Sequence, residues 1–307
     1  MGPLVFTFRK GKYMNTYIDE LVEFIHNKKI IESPIYHKEI ELLDDGTINV
    51  KMSFHLRVSE TNESLPFSIK QSMIFMLLDA HVDNLNPEMS NGNFKNKYEA
   101  LKERNKNDEI LKEIYRIFRF IRNNIIHDIN SIVNKEEKII IHGIKNSILR
   151  MNECTIKVMN YIVYTIVFND MKNAYNSLIL QNLYEIFRAG VIEFKDDITD
   201  NKFIKCIEAD VKLKSFYRSI LVGAKFGITV NDSILEVELY KDVSSYESED
   251  YLLKVGGDFY LIPNEILKKD DQLKVGKVSL DEANKFKLHI DNPTIDICLW
   301  NLLKRHI

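Results

Sequence analysis

The hexapeptide RNNIIH, Arg122 to His127, puts an arginine and a histidine five positions apart with two asparagines and two isoleucines between them. A histidine titrates near neutrality, so it can take the proton of a ribose hydroxyl or give one to a leaving oxygen. An arginine beside it can stabilise the charge that develops on a phosphate. Asn123, one helical turn before His127, can fix the imidazole or bind a phosphate oxygen. The chemistry that suits such a set is cleavage of an RNA phosphodiester without a metal.

These residues close an amphipathic stretch, EILKEIYRIFRFIRNNIIHDINSIV, which is expected to form a long helix. At about 100° per residue, Ile110, Ile114, Ile117, Phe118, Ile121 and Ile125 make one apolar stripe that faces a core. Arg116, Arg119, Asn123 and His127 fall together on the opposite side within about 80°, and Arg122 stands at the flank. Solvated faces usually mix lysine with glutamate. This one holds three arginines within seven residues, which repel one another and call for a shared anion or an acidic partner. Arg116 and Arg119 are therefore the candidate RNA-binding residues. Arg122 and His127 lie about 140° apart on a regular helix, so they meet on one phosphate if the arginine swings round, the helix distorts or a second subunit contributes. The last option implies a symmetric dimer with this helix at or beside the twofold axis.

RNNIIH at the end of a helix, within KYEALKERNKNDEILKEIYRIFRFIRNNIIHDI, resembles the R-x4-H motif of the HEPN superfamily, with the favoured asparagine directly after the arginine. The resemblance covers about residues 66–175. It implies a metal-independent endoribonuclease, typically a homodimer whose two motifs face each other across one cleft. It further implies Arg122 and His127 as the catalytic pair, Asn123 as the supporting polar residue, and no cofactor. Relatives serve in toxin–antitoxin modules, phage defence and RNA processing, so an antitoxin protein is an implied partner. Some relatives keep the fold as a catalytically silent module that binds RNA or a protein, and that is the alternative reading here.

The composition frames this motif. The 307 residues carry 42 Lys and Arg against 45 Asp and Glu, a net charge of −3, but residues 95–150 alone carry +5 and the remainder −8. A basic segment of this kind suits a polyanion, and a solvated helix face would be written the same way. With 45% hydrophobic and 28% charged residues the chain reads as soluble and globular. Its three cysteines are odd in number and in no paired spacing, which argues for a reducing cytoplasm and against a disulfide framework or a cysteine-rich zinc site. The longest apolar window, VMNYIVYTIVF, is too short to span a bilayer, so no membrane partner is expected. MGPLVFTFRKGKYM has its apolar residues before its basic ones, the reverse of a signal peptide.

The elements that would position the motif follow from periodicity. The fold expected is mainly α: a HEPN-like bundle of four to five helices over 66–190, preceded by a helix and β-hairpin in 1–65 and followed by an α+β region over 191–307. The hairpin is read from alternating apolar residues on both sides of DDG. In the bundle, Ser68 is a candidate N-cap for FSIKQSMIFMLLDAHVDNL, NSILRMNECTIKVMNYIVYTIVF reads as one long helix, and Gly190 as a C-cap. Beyond it, SILEVELY, DYLLKVGGDFYLIP and LKVGKVSL read as strands, the middle one folding about GGD, and TIDICLWNLLKRH as a terminal helix.

Other residue sets are weaker. His81 between Asp79 and Asp83 offers metal ligands, but a polar helix end is the plainer reading, so no metal is assigned. His142 follows the motif helix and reads as a turn histidine. GAKFGIT lacks the Gly-Lys-Ser/Thr ending of a phosphate loop, and no nucleophile elbow or dinucleotide-binding glycine pattern is present.

Overall fold

The structure, a computed structural model, describes residues 20–25 without 22, then 30, 35–42 and 48–55. It also describes 65–288 apart from 91, 128–130, 169–172, 197–202, 216, 223–227, 232, 239–247 and 270–274. The expected terminal helix lies outside these residues. Of the expected first helix, residues 20, 21 and 23–25 are described and are helical.

Four long helices pack against one another: α1 (Phe67–Leu85), α3 (Lys106–His127), α4 (Glu153–Phe168) and α5 (Ala174–Gly190); the short α2 (Phe94–Ala100) leads into α3. Ile74, Leu77, Leu78, Ile114, Phe118, Ile121, Met159, Ile162 and Leu183 bury their side chains among them. α1 begins after Pro66, which has no backbone N–H to leave orphaned, so Ser68 falls inside the first turn and caps nothing. Gly190 is the last residue of α5, yet its importance is steric. A Cβ there would lie 2.0 Å from Thr155 Oγ1, so only glycine lets α4 and α5 approach this closely.

The mainly α expectation is overturned. The described residues hold a six-stranded sheet and two four-stranded sheets, and the fold is α+β. Three strands of one four-stranded sheet arise inside the expected bundle, β3 (Ile132–Lys135), β4 (Lys138–His142) and β5 (Ile148–Asn152), and β6 (Val191–Lys195) completes it just beyond. The stretch expected as one helix from Asn146 is thus a strand followed by a helix. Leu149 and Met151 point inward while Ile148 and Arg150 alternate with them, a period of two too short to stand out beside the helix that follows.

The hairpin of β1 (Ile35–Leu42) and β2 (Ile48–His55) forms, but β2 also pairs with a strand from the far end of the chain. The six-stranded order is β1-β2-β7-β10-β11-β14, with β7 (Tyr217–Val222), β10 (Ser248–Val255), β11 (Asp258–Ile262) and β14 (Lys287–Leu288). All its pairs are antiparallel except β7–β10. The expected turn at GGD is made by Gly256 and Gly257, both left-handed at φ 58° and 95°. The last sheet joins β8 (Ile228–Asn231), β9 (Ile234–Glu238), β12 (Lys268–Lys269) and β13 (Val275–Ser279), and α6 (Leu280–Lys285) follows β13.

A buried charge cluster ties the large sheet to the helices. Arg218 of β7 donates to both oxygens of Asp250 on β10, and to Glu265 at 3.0 and 2.7 Å. Tyr175, in the first turn of α5, donates to Asp250 at 2.6 Å. Burial pushes the Asp250 carboxyl up, while Arg218 and Tyr175 oppose that shift. From 203 to 215 the chain runs as an extended strap across α3 and α5. Its backbone N–H groups at Lys205, Ala209, Asp210 and Leu213 donate to Glu113, Glu185, Gln181 and Asn182 at 2.8–3.0 Å. Helix side chains thereby satisfy an irregular segment that has no ladder of its own.

Candidate active site

α3 is the scaffold of the motif. Asp108 and Glu109 occupy its first turn and His127 its last, an order that matches the helix dipole. The apolar stripe read from the sequence is in place: Ile110, Ile114, Ile117, Phe118, Ile121 and Ile125 are all buried.

The opposite face differs from expectation. Arg116 is 2% exposed and Arg119 9%, so neither lies on an open basic surface. Arg116 donates to Glu113 at 2.6 and 3.0 Å, to Asp196 at 3.3 Å and to the carbonyl of Phe203 at 3.2 Å, and its guanidinium lies 4.7 Å from the ring centre of Phe194. Arg119 stands 3.6 Å from Asp196 and 5.1 Å from the ring centre of Phe94. Burial alone would lower the Arg116 value, yet its hydrogen bonds to Glu113 and the Asp196 charge raise it. Two arginines face two carboxylates in a sealed site, which leaves no charge over for an outside polyanion. Asp196 comes just after β6, some eighty positions from Arg116, and nothing local in the sequence marks it. Glu113, one turn before Arg116, is the local signal of an internal pairing.

Arg122 and His127 are exposed and Asn123 is half-buried. Arg122 Nη1 donates to Asn123 Oδ1 at 3.2 Å, so the support Asn123 gives runs to the arginine. The Arg122 guanidinium also lies 5.9 Å from the ring centre of Phe75 on α1. That ring stacks on Tyr115, whose hydroxyl donates to Asp79 at 2.5 Å. Sequence reasoning misses Phe75 because an aromatic at an apolar helical position reads as core. It holds Arg122 on the α1 side, and on a regular helix His127 leaves α3 about 140° away. Among the described residues no hydrogen bond joins the two side chains, and the helical offset between them stands as read from the spacing.

No known protein family, curated protein or solved structure matches the chain. The site therefore stands on its own chemistry.

The remaining candidates resolve into structural roles. Asp79 and Asp83 both pair with Lys97, at 2.9 and 2.7 Å. Burial would lower the Lys97 ammonium, but its hydrogen bonds to Asp83 and Asp79 hold it up. His81, between them in sequence, is pushed down to about 4 by burial and is neutral at physiological pH. Among the described residues no three His, Cys, Asp or Glu side chains converge as metal ligands. Cys154 and Cys206 are free and exposed. No helix among the described residues is long and apolar enough to cross a membrane.

Proposed function

We propose that the chain is a metal-independent endoribonuclease of HEPN type, acting on RNA in a reducing cytoplasm. The observation that carries this reading is selective exposure. Of the three arginines on α3, Glu113 and Asp196 neutralise Arg116 and Arg119, while Arg122 stays at the surface beside Asn123 and one and a half turns from His127. With Arg116 and Arg119 paired internally, Arg122 and His127 are the members of the motif helix's basic set left where an anion from outside can reach them.

In the reaction, the His127 imidazole accepts the proton of the ribose 2′-hydroxyl as that oxygen attacks phosphorus. The bond from phosphorus to the 5′-oxygen breaks, the leaving oxygen takes that proton from the imidazolium, and a 2′,3′-cyclic phosphate remains. Arg122 stabilises the charge on the non-bridging oxygens. Because the two residues lie about 140° apart on a regular helix, the reading includes a homodimer in which Arg122 of one copy and His127 of the other serve the same phosphate. Service in a toxin–antitoxin or phage-defence system, with an acidic antitoxin as inhibitor, belongs to the same proposal.

The test is incubation of the purified protein with RNA in EDTA. Wild type is expected to cleave, and His127→Ala and Arg122→Ala to lose about 100-fold or more of the rate while still binding RNA. Binding without cleavage by wild type would favour the catalytically silent module. Cleavage undiminished in both variants would refute the assignment.

A further inference from the structure

Of the three arginines on α3, Arg122 alone has no carboxylate partner among the described residues. A long exposed side chain ordinarily samples many rotamers, and a group that must meet one phosphate gains from being held in place. Its guanidinium lies over the ring of Phe75, 5.9 Å from the centre, and donates to Asn123.

The ring of Phe75 is itself fixed. It is half-buried on α1 and stacks on Tyr115 of α3 at 5.9 Å, the planes 10° apart. Tyr115 stacks in turn on Phe94 at 4.9 Å and Phe94 on Tyr98 at 5.7 Å, both on α2. Four rings from three helices thus make one continuous stack, and hydrogen bonds pin its middle. Tyr115 is fully buried and donates to Asp79 at 2.5 Å, and Asp79 accepts from Lys97 at 2.9 Å. Burial and the bond to Asp79 both push the Tyr115 hydroxyl up, so it stays protonated and keeps donating at physiological pH. Spacing fits this arrangement: Tyr115 and Arg122, seven apart on α3, share an azimuth within about 20°, and Phe75 reaches both from α1.

Cations lie against two further rings of the stack, Arg119 on Phe94 at 5.1 Å and Lys112 on Tyr98 at 5.0 Å. Each of these also has a carboxylate, Asp196 at 3.6 Å for Arg119 and Glu103 at 2.9 Å for Lys112. For Arg122 no carboxylate shares the task, so the Phe75 face and Asn123 define where the guanidinium lies. An aromatic face attracts a guanidinium through its quadrupole and leaves the remaining N–H donors and the full charge available to phosphate oxygens. A carboxylate in the same place would engage those donors and cancel the charge, as Glu113 and Asp196 do for Arg116.

We infer that Phe75 is the positioning residue of Arg122, holding the guanidinium where it meets the scissile phosphate in the ribonuclease reading, on which this inference rests. The experiment compares Phe75→Leu, which removes the aromatic face, with Phe75→Tyr, which keeps it. In RNA cleavage with EDTA, Phe75→Leu is expected to lower kcat about tenfold with KM within about twofold of wild type, and Phe75→Tyr to stay near wild type in both. In parallel, the Arg122 Nε–Hε signal is followed by nuclear magnetic resonance and assigned as the one lost in Arg122→Lys. It is expected to be shifted upfield by the ring current in wild type and Phe75→Tyr, and to lose that shift in Phe75→Leu. Should Phe75→Leu not fold, Phe75→Met, which fills the space without a ring, takes its place. An unchanged kcat in Phe75→Leu, equal losses in the Leu and Tyr variants, or an unshifted Arg122 signal in wild type overturns the inference. If wild type does not cleave RNA, the ribonuclease reading falls; a ring-shifted signal that Phe75→Leu abolishes then still upholds Phe75 as the residue that places Arg122.

Discussion

Arg116 and Asp196 meet at 3.3 Å with side chains 2% and 1% exposed, and the same carboxylate lies 3.6 Å from Arg119. One acidic residue arriving after β6 thus turns what would be an open basic stripe into an internal joint between α3 and the end of that strand. The motif helix is held by charge on one side and by its isoleucines on the other.

Removing that carboxylate should be costly. Asp196→Asn leaves two guanidiniums in a sealed site with only Glu113 for balance, and is expected to destabilise the protein by about 3–5 kcal/mol. Urea unfolding followed by circular dichroism checks it. His127→Ala, at an exposed position, is expected to stay within about 0.5 kcal/mol of wild type in the same assay. A midpoint for Asp196→Asn equal to that of wild type would show that the joint holds nothing.

The turn between β3 and β4 carries avoidable strain. Glu136 and Glu137 both sit in left-handed backbone, at φ 54° and 59°, where Asn-Gly is the favoured pair. Replacing them as Glu136→Asn with Glu137→Gly is expected to stabilise by about 1–2 kcal/mol. Both side chains are exposed, so no packing is lost. A rise in thermal midpoint is the readout; a fall would mean that the glutamates make contacts worth more than the strain.

His81 should make the protein acid-sensitive. Burial lowers its folded value from 6.5 to about 4, so between these values the unfolded chain binds the extra proton. Stability that is fully present above pH 6.5 is therefore lost as the pH falls toward 4, on the order of 3 kcal/mol. His81→Gln is expected to flatten that part of the stability–pH curve. Midpoints measured from pH 7.5 to 4 in both proteins decide it, and parallel curves would assign the acid sensitivity to other groups.

How far the sequence reaches depends on the range of the interaction involved. The core stripe of α3 and the hairpin at GGD are both legible in it, because each follows from spacing within a few turns or one loop. The strand Ile148–Asn152 is hidden because five alternating residues run straight into a longer helical pattern. Gly190 stands out in the sequence as a cap, and only the packed α4–α5 pair shows that Thr155 fills the space a Cβ would need.

What the sequence determined by itself was the content of the motif: a helix ending in an arginine, two asparagines and a histidine, inside the one basic segment of an otherwise acidic chain. Tertiary structure decided which of its charges remain available. Asp196 reaches Arg116 across eighty residues, and β2 reaches β7 across more than 160, by chain closures that no local pattern encodes. A helical wheel reports which residues share a face; whether that face meets water or a buried carboxylate is settled only when a distant segment folds over it.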